Sequence, residues 1–284
     1  MRTLELIYKI KQKLTKIEKE KVLIPVYNGC LLKDRIAFIT GGSSGIGYAI
    51  ASSFLRNGAK VIISGRNIDR LNIAKDKLIK ETDCNESDII CFELDITRIN
   101  YNENKLNSFL DQYKNIDIFV NNAGINKGES FPNTDLIDYE NVLDTNLKGM
   151  YFFSQYIFKY MIKNKIHGNI LIINSSSSLR PAITPYIVSK WGERSLTLGM
   201  AKKALQYGIT VNGLAPGSTL TPMLEKGNKT DLSLDYSPIK RYIAPEEIGN
   251  MATFLVSDMG KTIIGDTIYM TGGAGVITYD DMQY

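Results

Sequence analysis

A glycine-rich segment early in the chain constrains the fold more than any other feature. Residues 40–47 read TGGSSGIG, between an apolar run at 36–39 and a helix-forming run at 48–55. A strand, a glycine turn and a helix in this order bind the pyrophosphate of a dinucleotide, because the glycines admit the ligand to the backbone and the helix N-terminus offers free N–H groups. The candidate dinucleotide-binding residues here are Gly41, Ser43, Ser44, Gly45, Ile46 and Gly47.

Strand-like and helix-like segments alternate along the rest of the sequence. Strand-like segments such as 116–120 (IDIFV) are mostly apolar, which is typical of strands buried on both faces. We therefore predict an α/β fold of the Rossmann type, a doubly wound parallel sheet of about seven strands with helices on both faces. The predicted strands are 35–40, 60–64, 89–93, 116–121, 168–174, 209–214 and 267–270. The predicted helices are 45–57, 68–81, 103–113, 135–163, 186–206 and 245–257.

The first 30 residues differ from the rest in their pattern. Within residues 3–21, apolar side chains recur at spacings of three and four, which predicts a basic amphipathic helix. Such a helix could pack on its own domain or on a sister subunit, or it could bind a membrane surface or a partner. We divide the chain into an N-terminal helical extension, 1–30, and a single Rossmann-fold domain, 31–284, with a substrate loop at about 219–243.

Charge is unevenly distributed along the 284 residues. The net charge of the chain is +4, but residues 1–35 carry nine Lys or Arg and four Asp or Glu, so the remainder has a net charge of −1. A nearly neutral main domain does not predict nucleic-acid binding. No run of about 18 apolar residues is present, so we expect no membrane span.

Cysteine and histidine are too sparse for several kinds of site. Cys30, Cys84 and Cys91 are an odd set without metal-ligand spacing, which favours a reducing, cytoplasmic location. The only histidine is His167, which argues against a Ser-His-Asp hydrolase and against a histidine-ligated zinc site. We expect no metal.

Tyr186 and Lys190 are four residues apart, so on a helix they share a face. A neighbouring ammonium favours the phenolate form of a tyrosine, which makes Tyr186 a candidate general acid/base. The spacing alone is a weak signal. It recurs at 101 and 105, in a predicted loop, and at 236 and 240, where a proline intervenes.

The chain resembles the short-chain dehydrogenase/reductase family when Tyr186 and Lys190 are taken together with the motifs around them. The resemblance runs from about residue 34 to about residue 275. The glycine turn has the spacing Gly-x3-Gly-x-Gly rather than the more common Gly-x-Gly-x-x-Gly. The other matching elements follow in order along the chain: Asp95, Asn121–Gly124, Asn146, the serines that end strand 168–174, Tyr186 with Lys190, Pro216-Gly217, and 265–273 (GDTIYMTGG).

The resemblance implies a catalytic set. Tyr186 would donate a proton to a carbonyl oxygen in reduction or accept it in oxidation, and Lys190 would support the phenolate and bind the nicotinamide ribose. Asn146 would hold a water in a proton relay, although it could instead bond the backbone of a kinked helix. A serine would polarise the carbonyl. Position along the strand selects Ser175, with Ser176 as the alternative.

The end of the second strand bears on the cofactor. NAD-preferring relatives usually place an acidic residue there, but this strand ends in Gly65-Arg66-Asn67, and Arg66 could pair with a 2′-phosphate. We therefore favour NADP(H) over NAD(H), although the glycine turn has no basic residue. Asp95 has an alternative role as the cap of the following turn. By resemblance, the further cofactor-binding residues are Asp95, Ile96, Asn122, Ala123, Gly124, Tyr186, Lys190, Pro216, Gly217, Thr219 and Thr221.

The sequence thus predicts an NADP(H)-dependent oxidoreductase that reduces a carbonyl to an alcohol, or the reverse, by hydride transfer. The mixed apolar and basic loop at 219–243 leaves a sugar or polyol, a 3-oxoacyl thioester and a small ketone open as substrates. The alternatives are an NAD-linked alcohol dehydrogenase of the same fold, a nucleotide-sugar epimerase or dehydratase, and a non-catalytic nucleotide-binding scaffold. Family helices at 135–163 and 186–206 imply a homodimer or homotetramer, although their apolar residues are equally typical of a buried core.

Overall fold

A computed structural model describes residues 26, 28–110, 112, 115–223, 232–235 and 237–275. Its strands are β1 Ile36–Thr40, β2 Lys60–Gly65, β3 Ile89–Glu93, β4 Ile118–Asn121, β5 Asn169–Ile173, β6 Thr210–Pro216 and β7 Thr267–Met270. They form one parallel sheet in the order β3-β2-β1-β4-β5-β6-β7. The predicted Rossmann-type sheet is confirmed, with its strand order reversing between β1 and β4.

Helices connect the strands. They are α1 Gly45–Arg56, α2 Ile68–Thr82, α3 Ile99–Leu110, α4 Leu136–Leu143, α5 Met150–Lys163, α6 Pro185–Ala204 and α7 Pro245–Val256. The start of α6 is well defined, because Thr184 precedes it and accepts a hydrogen bond from the N–H of Ile187 at 3.2 Å. Pro185 then occupies a position where its missing N–H costs nothing.

Alternate strand residues enter two different cores. In β1, Ala37 and Ile39 belong to a cluster with buried residues of α1, α2 and α7, whereas Phe38 belongs to a cluster with buried residues of α3, α5 and α6. The ring of Phe38 lies 6.2 Å from that of Phe119 and 5.6 Å from that of Phe153. Helices therefore cover both faces of the sheet, and ligands have access at the ends of its strands.

The predicted helix 135–163 is interrupted. Between α4 and α5, residues Asp144–Gly149 form a π-helical turn, in which Asn146 is fully buried. The side chain of Asn146 accepts from the N–H of Ile125 at 2.8 Å and donates to its carbonyl oxygen at 2.9 Å. A π-helical turn inside a helix often marks a functional site. Here the hydrogen bonds between Asn146 and Ile125 accompany the interruption of the predicted helix. The local sequence contains no signal that would end a helix at this point.

Two predicted segments lie wholly or partly outside the described residues. The predicted helix at 3–21 is one, and residues 224–231 and 236 of the predicted substrate loop are the other. The division at residue 30 stays a prediction. Within the described part of the chain, no helix is long and apolar enough to cross a membrane.

Candidate active site

A cleft of about 440 Å³ opens at the carboxyl ends of the strands. Its walls come from the segments that follow β1, β2, β3, β4 and β5, from the first turns of α6, and from the segment after β6. In an open parallel sheet, ligands bind at this edge, where the strand order reverses. The cleft therefore lies where the fold predicts a dinucleotide site.

Hydrogen bonds fix the glycine turn against the segment that follows β4. Nδ2 of Asn122 donates to the carbonyl oxygens of Thr40 at 2.9 Å and Gly41 at 3.2 Å. The backbone N–H groups of Asn122 and Ala123 donate to Oγ1 of Thr40 at 2.9 and 3.0 Å. Gly41 has a φ of +67°, and a side chain there would press on Asn122 and Ala123. The turn is thus held in a shape that leaves its backbone open to the cleft.

Helix α1 begins at Gly45 without a side-chain cap. Ser44 is its N-cap residue, yet the Ser44 side chain makes no capping hydrogen bond. The N–H groups of a first helical turn have no intrahelical acceptor and carry partial positive charge. Because Ser44, Gly45 and Ile46 line the cleft, these donors suit a pyrophosphate. The residues present therefore fit a dinucleotide cofactor.

Basic side chains line the part of the cleft next to β2. Arg66 follows β2 and Arg70 lies in the first turn of α2, and both are exposed. The backbone N–H of Arg70 donates to Oδ1 of Asn67, the N-cap of α2, at 2.9 Å. Sequence analysis identified Arg66 but missed Arg70. A signal was available, since Arg70 is a second basic residue shortly after Arg66, in the first turn of the helix that follows it.

Asp95 has the capping role that sequence analysis gave as its alternative. Its Oδ1 accepts from the backbone N–H of Thr97 at 3.0 Å and from Oγ1 of Thr97 at 2.7 Å. Asp95 and Ile96 also line the cleft after β3. A contact of Asp95 with an adenine ring stays a prediction.

Tyr186 and Lys190 meet as their spacing predicts. Nζ of Lys190 lies 5.6 Å from the centre of the Tyr186 ring, and both residues line the cleft. Nζ also donates to the carbonyl oxygen of Ile173, at the end of β5, at 3.2 Å, and to Oε2 of Glu193 at 2.8 Å. Burial raises the pKa of Glu193 to about 7, against the opposing influence of Lys190. Burial lowers the pKa of Lys190, but the charges of Glu193 and Tyr186 outweigh it and raise that pKa overall.

Asn146 is connected to Tyr186 through a serine. Nδ2 of Asn146 donates to Oγ of Ser189 at 3.1 Å, and that hydroxyl donates to the carbonyl oxygen of Tyr186 at 2.7 Å. Asn146 and Ser189 are both fully buried, and neither lines the cleft. The side chain of Asn146 thus bonds α6 and the segment after β4 rather than its own helix.

The serines after β5 are positioned by local bonds. Oγ of Ser175 accepts from the N–H of Ser177 at 3.1 Å and so begins the short 3₁₀ helix Ser176–Leu179. Ser175 and Ser176 are each 8% exposed, and neither lines the cleft, whereas the preceding Asn174 does. The choice of Ser175 over Ser176 stays a prediction.

The segment after β6 closes one side of the cleft. Thr221 lies over the glycine turn, where it would contact a side chain at Gly45, and it lines the cleft with Pro222 and Met223. Thr219 is 2% exposed and its Oγ1 donates to the carbonyl oxygen of Gly217 at 3.1 Å. Thr219 thus shapes the backbone of this segment.

The structure brings most of the predicted site residues to one cleft. Those that line it are Gly41, Ser43, Ser44, Gly45, Ile46, Arg66, Asp95, Ile96, Asn122, Ala123, Gly124, Tyr186, Lys190 and Thr221. Those that do not line it are Gly47, Asn146, Ser175, Pro216, Gly217 and Thr219. Met223, in the predicted substrate loop, also lines the cleft. Sequence analysis missed Arg70 and Asn174 in the cleft, and Ser189 and Glu193 behind it.

Comparison with known proteins agrees with this geometry. The family described as short chain dehydrogenase matches residues 35–232. A 3-oxoacyl-[acyl-carrier-protein] reductase of Synechocystis sp. is 31% identical over 245 residues, which are 85% of this chain and 97% of that protein. Glucose 1-dehydrogenase 2 of Bacillus subtilis is 30% identical over 248 residues, which are 85% of this chain and 95% of that protein.

A solved structure shares the same architecture. The structure described as ElxO with NADP bound is 28% identical, with a TM-score of 0.76, and the match covers 84% of this chain and 98% of ElxO.

Proposed function

The chain belongs to the short-chain dehydrogenase/reductase family of NAD(P)-dependent oxidoreductases, and we propose that it interconverts a carbonyl and an alcohol with NADP(H). One observation carries the proposal. Tyr186 and Lys190 lie together on α6, in the same cleft as the uncapped N-terminus of α1.

The proposed reaction uses residues of the chain in separate roles. The bound nicotinamide cofactor supplies or accepts a hydride. The glycine turn and the first turn of α1 bind its pyrophosphate. Tyr186 donates a proton to the carbonyl oxygen in reduction and accepts it in oxidation. Lys190 places a positive charge beside the phenol and donates to the nicotinamide ribose, and Ser175 polarises the carbonyl.

Asn146 completes the proposed catalytic set. Its buried side chain bonds Ile125 and Ser189, and Ser189 bonds the backbone of Tyr186. This connection supports a role in which Asn146 and its π-helical turn hold the N-terminal turn of α6 in place beside a proton relay.

Two arginines favour NADP(H) as the cofactor. Arg66 and Arg70 both line the cleft after β2, where a 2′-phosphate would need cationic partners. Arg70 compensates for the lack of a basic residue in the glycine turn. A homodimer or homotetramer and a cytoplasmic location remain part of the proposal.

Three substrate classes are compatible with the cleft and with the relatives. The relatives include a 3-oxoacyl-[acyl-carrier-protein] reductase and a glucose 1-dehydrogenase, and the cleft wall next to Thr221 carries the apolar side chain of Met223. A sugar or polyol, a 3-oxoacyl thioester and a small ketone are the three classes to test.

A spectrophotometric screen tests the proposed function. The purified protein is mixed with NADPH or NADH and a panel of carbonyl sugars, 3-oxoacyl thioesters and small ketones, and loss of the reduced cofactor is followed. We expect consumption of NADPH with at least one class. If both cofactors bind but neither is consumed with any carbonyl of the panel, the non-catalytic alternative replaces this proposal.

A further inference from the structure

A buried ion pair lies behind the proposed acid/base residue. Nζ of Lys190 and Oε2 of Glu193 are 2.8 Å apart within α6, and the two side chains are 7% and 3% exposed. The proposed function uses Lys190 but assigns nothing to Glu193. Because a buried charge is costly, a carboxylate at this position calls for a specific role.

Glu193 restricts the direction in which Lys190 can point. An ammonium group has three N–H donors. One donates to the carbonyl oxygen of Ile173 and a second to Glu193. Among the partners that the described residues supply, this leaves one donor for the side on which Lys190 and Tyr186 line the cleft. Glu193 therefore positions the ammonium without touching the cleft itself.

The titration of the pair is governed by few groups. Burial raises the pKa of Glu193 to about 7, with Lys190 opposing it. Burial lowers the pKa of Lys190, but Glu193 and, to a smaller extent, Tyr186 raise it overall. Neighbouring titratable groups from the elements packed on α6 include Asp138, Tyr139, Glu140, Asp144, Lys148 and Tyr207. Within the described part of the chain, none of these contributes to either pKa.

The net charge of the pair therefore changes near neutral pH. Above the pKa of about 7, Glu193 is ionised and cancels the charge of Lys190. Below it, Glu193 binds a proton and Lys190 keeps an uncompensated positive charge. The oxidised nicotinamide ring is itself positively charged, whereas the reduced ring is neutral. An uncompensated Lys190 beside the ribose repels the oxidised ring and has little effect on the reduced ring.

We propose that Glu193 is a positioning residue for Lys190 whose charge also favours the oxidised over the reduced cofactor in this cleft. The inference rests on the proposed function, since it places the nicotinamide ribose at Lys190. This role of Glu193 makes the preference of the cleft for the oxidised or the reduced cofactor depend on pH.

The ratio of two dissociation constants tests this inference without turnover. Binding of NADP⁺ and of NADPH to the full chain is measured by calorimetry at about pH 6 and about pH 8, on either side of the Glu193 pKa of about 7. For the wild type, the affinity for NADP⁺ relative to NADPH should rise by about tenfold between these pH values. A change of this size corresponds to a difference of about one unit between the pKa of Glu193 in the two cofactor complexes. Titration of the 2′-phosphate affects both cofactors and largely cancels in the ratio.

Glu193→Gln keeps the shape of the side chain and removes its charge. We expect its ratio to remain near the low-pH value of the wild type at both pH values. Asp258→Asn is the matched control, because Asp258 is an exposed carboxylate whose side chain is 82% exposed and pairs with Arg35. That variant should follow the wild type.

The outcomes separate the inference from the proposed function. If the ratio of the NADP⁺ and NADPH affinities changes with pH in Glu193→Gln as it does in the wild type, the proposed role of Glu193 is overturned. If Glu193→Gln fails to fold, Glu193→Asp replaces it, because aspartate retains a carboxylate. The ratio of the NADP⁺ and NADPH affinities of Glu193→Asp should then depend on pH. A ratio that stays constant in this folded variant would also overturn the role of Glu193. If neither cofactor binds the wild type at any pH, the proposed function itself fails, and the inference fails with it.

Discussion

Arg66 is the single residue on which the proposed cofactor preference depends most. It follows β2 and lines the cleft with an exposed side chain. We expect Arg66→Ala to weaken NADPH binding by at least about tenfold, because a charge-assisted bond to the 2′-phosphate is lost. The same substitution should weaken NADH binding by less than about threefold, since an exposed charge without a direct partner contributes little.

NADH is the internal control for this experiment. Fluorescence titration of both reduced cofactors against wild type and Arg66→Ala gives the four dissociation constants. Equal losses of affinity for NADPH and NADH would remove Arg66 from phosphate recognition and leave it as a solvated loop arginine.

At the residue scale, the sequence predicts a side chain well when a short motif determines its place. Tyr186 and Lys190 meet because four residues on a helix return to the same face. Glu193 could not be predicted in the same way. Its spacing from Lys190 was visible, but a carboxylate at a helix position is usually solvated, and its burial depends on how α6 packs in the folded molecule.

The glycine turn and the first turn of α1 form the element that accepts the pyrophosphate. At Gly47, a Cβ atom would overlap Nδ2 of Asn122 and the carbonyl oxygen of Gly41. Asn122 holds the turn by hydrogen bonds to Thr40 and Gly41. Gly47 thus contributes to the site through packing, although it does not line the cleft.

Gly47→Ala should therefore damage both stability and binding. We expect a loss of about 1–3 kcal/mol in the free energy of unfolding, typical of an overpacked site, together with weaker binding of the dinucleotide. Urea denaturation and a cofactor titration measure the two effects. The matched control is Gly199→Ala in α6, where a Cβ atom meets nothing within 4 Å, so that variant should be unchanged or slightly more stable.

If Gly47→Ala and Gly199→Ala have the same free energy of unfolding and the same cofactor affinity, close packing at Gly47 is not what forms the turn.

Elements follow the sequence closely except where distant bonds intervene. The hydrophobic pattern predicted every strand of the described sheet, because buried parallel strands need continuous apolar runs. The pattern also predicted one helix over 135–163, but the structure has α4, a π-helical turn and α5. That interruption coincides with the bonds from Asn146 to Ile125 and Ser189, which no local pattern encodes.

On the scale of the whole molecule, the sheet order gathers distant segments into one cleft. The glycine turn, Arg66, Asp95 and Asn122 follow β1 to β4, and Tyr186 follows β5, so they meet only because these strands are parallel neighbours. This convergence could be predicted from the alternation of strands and helices. The family resemblance predicted that Thr221, after β6, contacts the cofactor, but its position over the glycine turn depends on tertiary folding and could not be derived from this alternation.

The surfaces of α5 and α6 agree with the proposed oligomer. Tyr151 and Phe152 on α5 are 45% and 42% exposed, and Leu198 on α6 is 55% exposed. Large apolar side chains exposed on neighbouring helices are typical of surfaces that are covered by another subunit.

The central claim is that one cleft both binds the cofactor and transfers the proton through Tyr186. Tyr186→Phe removes only the hydroxyl, so it tests the second part without disturbing the first. The measurement compares turnover and cofactor affinity of Tyr186→Phe with those of the wild type, on whichever carbonyl the screen identifies. Tyr207→Phe is the matched control, because Tyr207 is a 41% exposed tyrosine that follows α6 at the opposite edge of the sheet.

We predict that Tyr186→Phe binds NADPH as the wild type does and loses at least about a hundredfold of turnover, the range expected for a general acid/base. Tyr207→Phe should retain full activity. Near-wild-type turnover of Tyr186→Phe with intact cofactor binding would contradict the account.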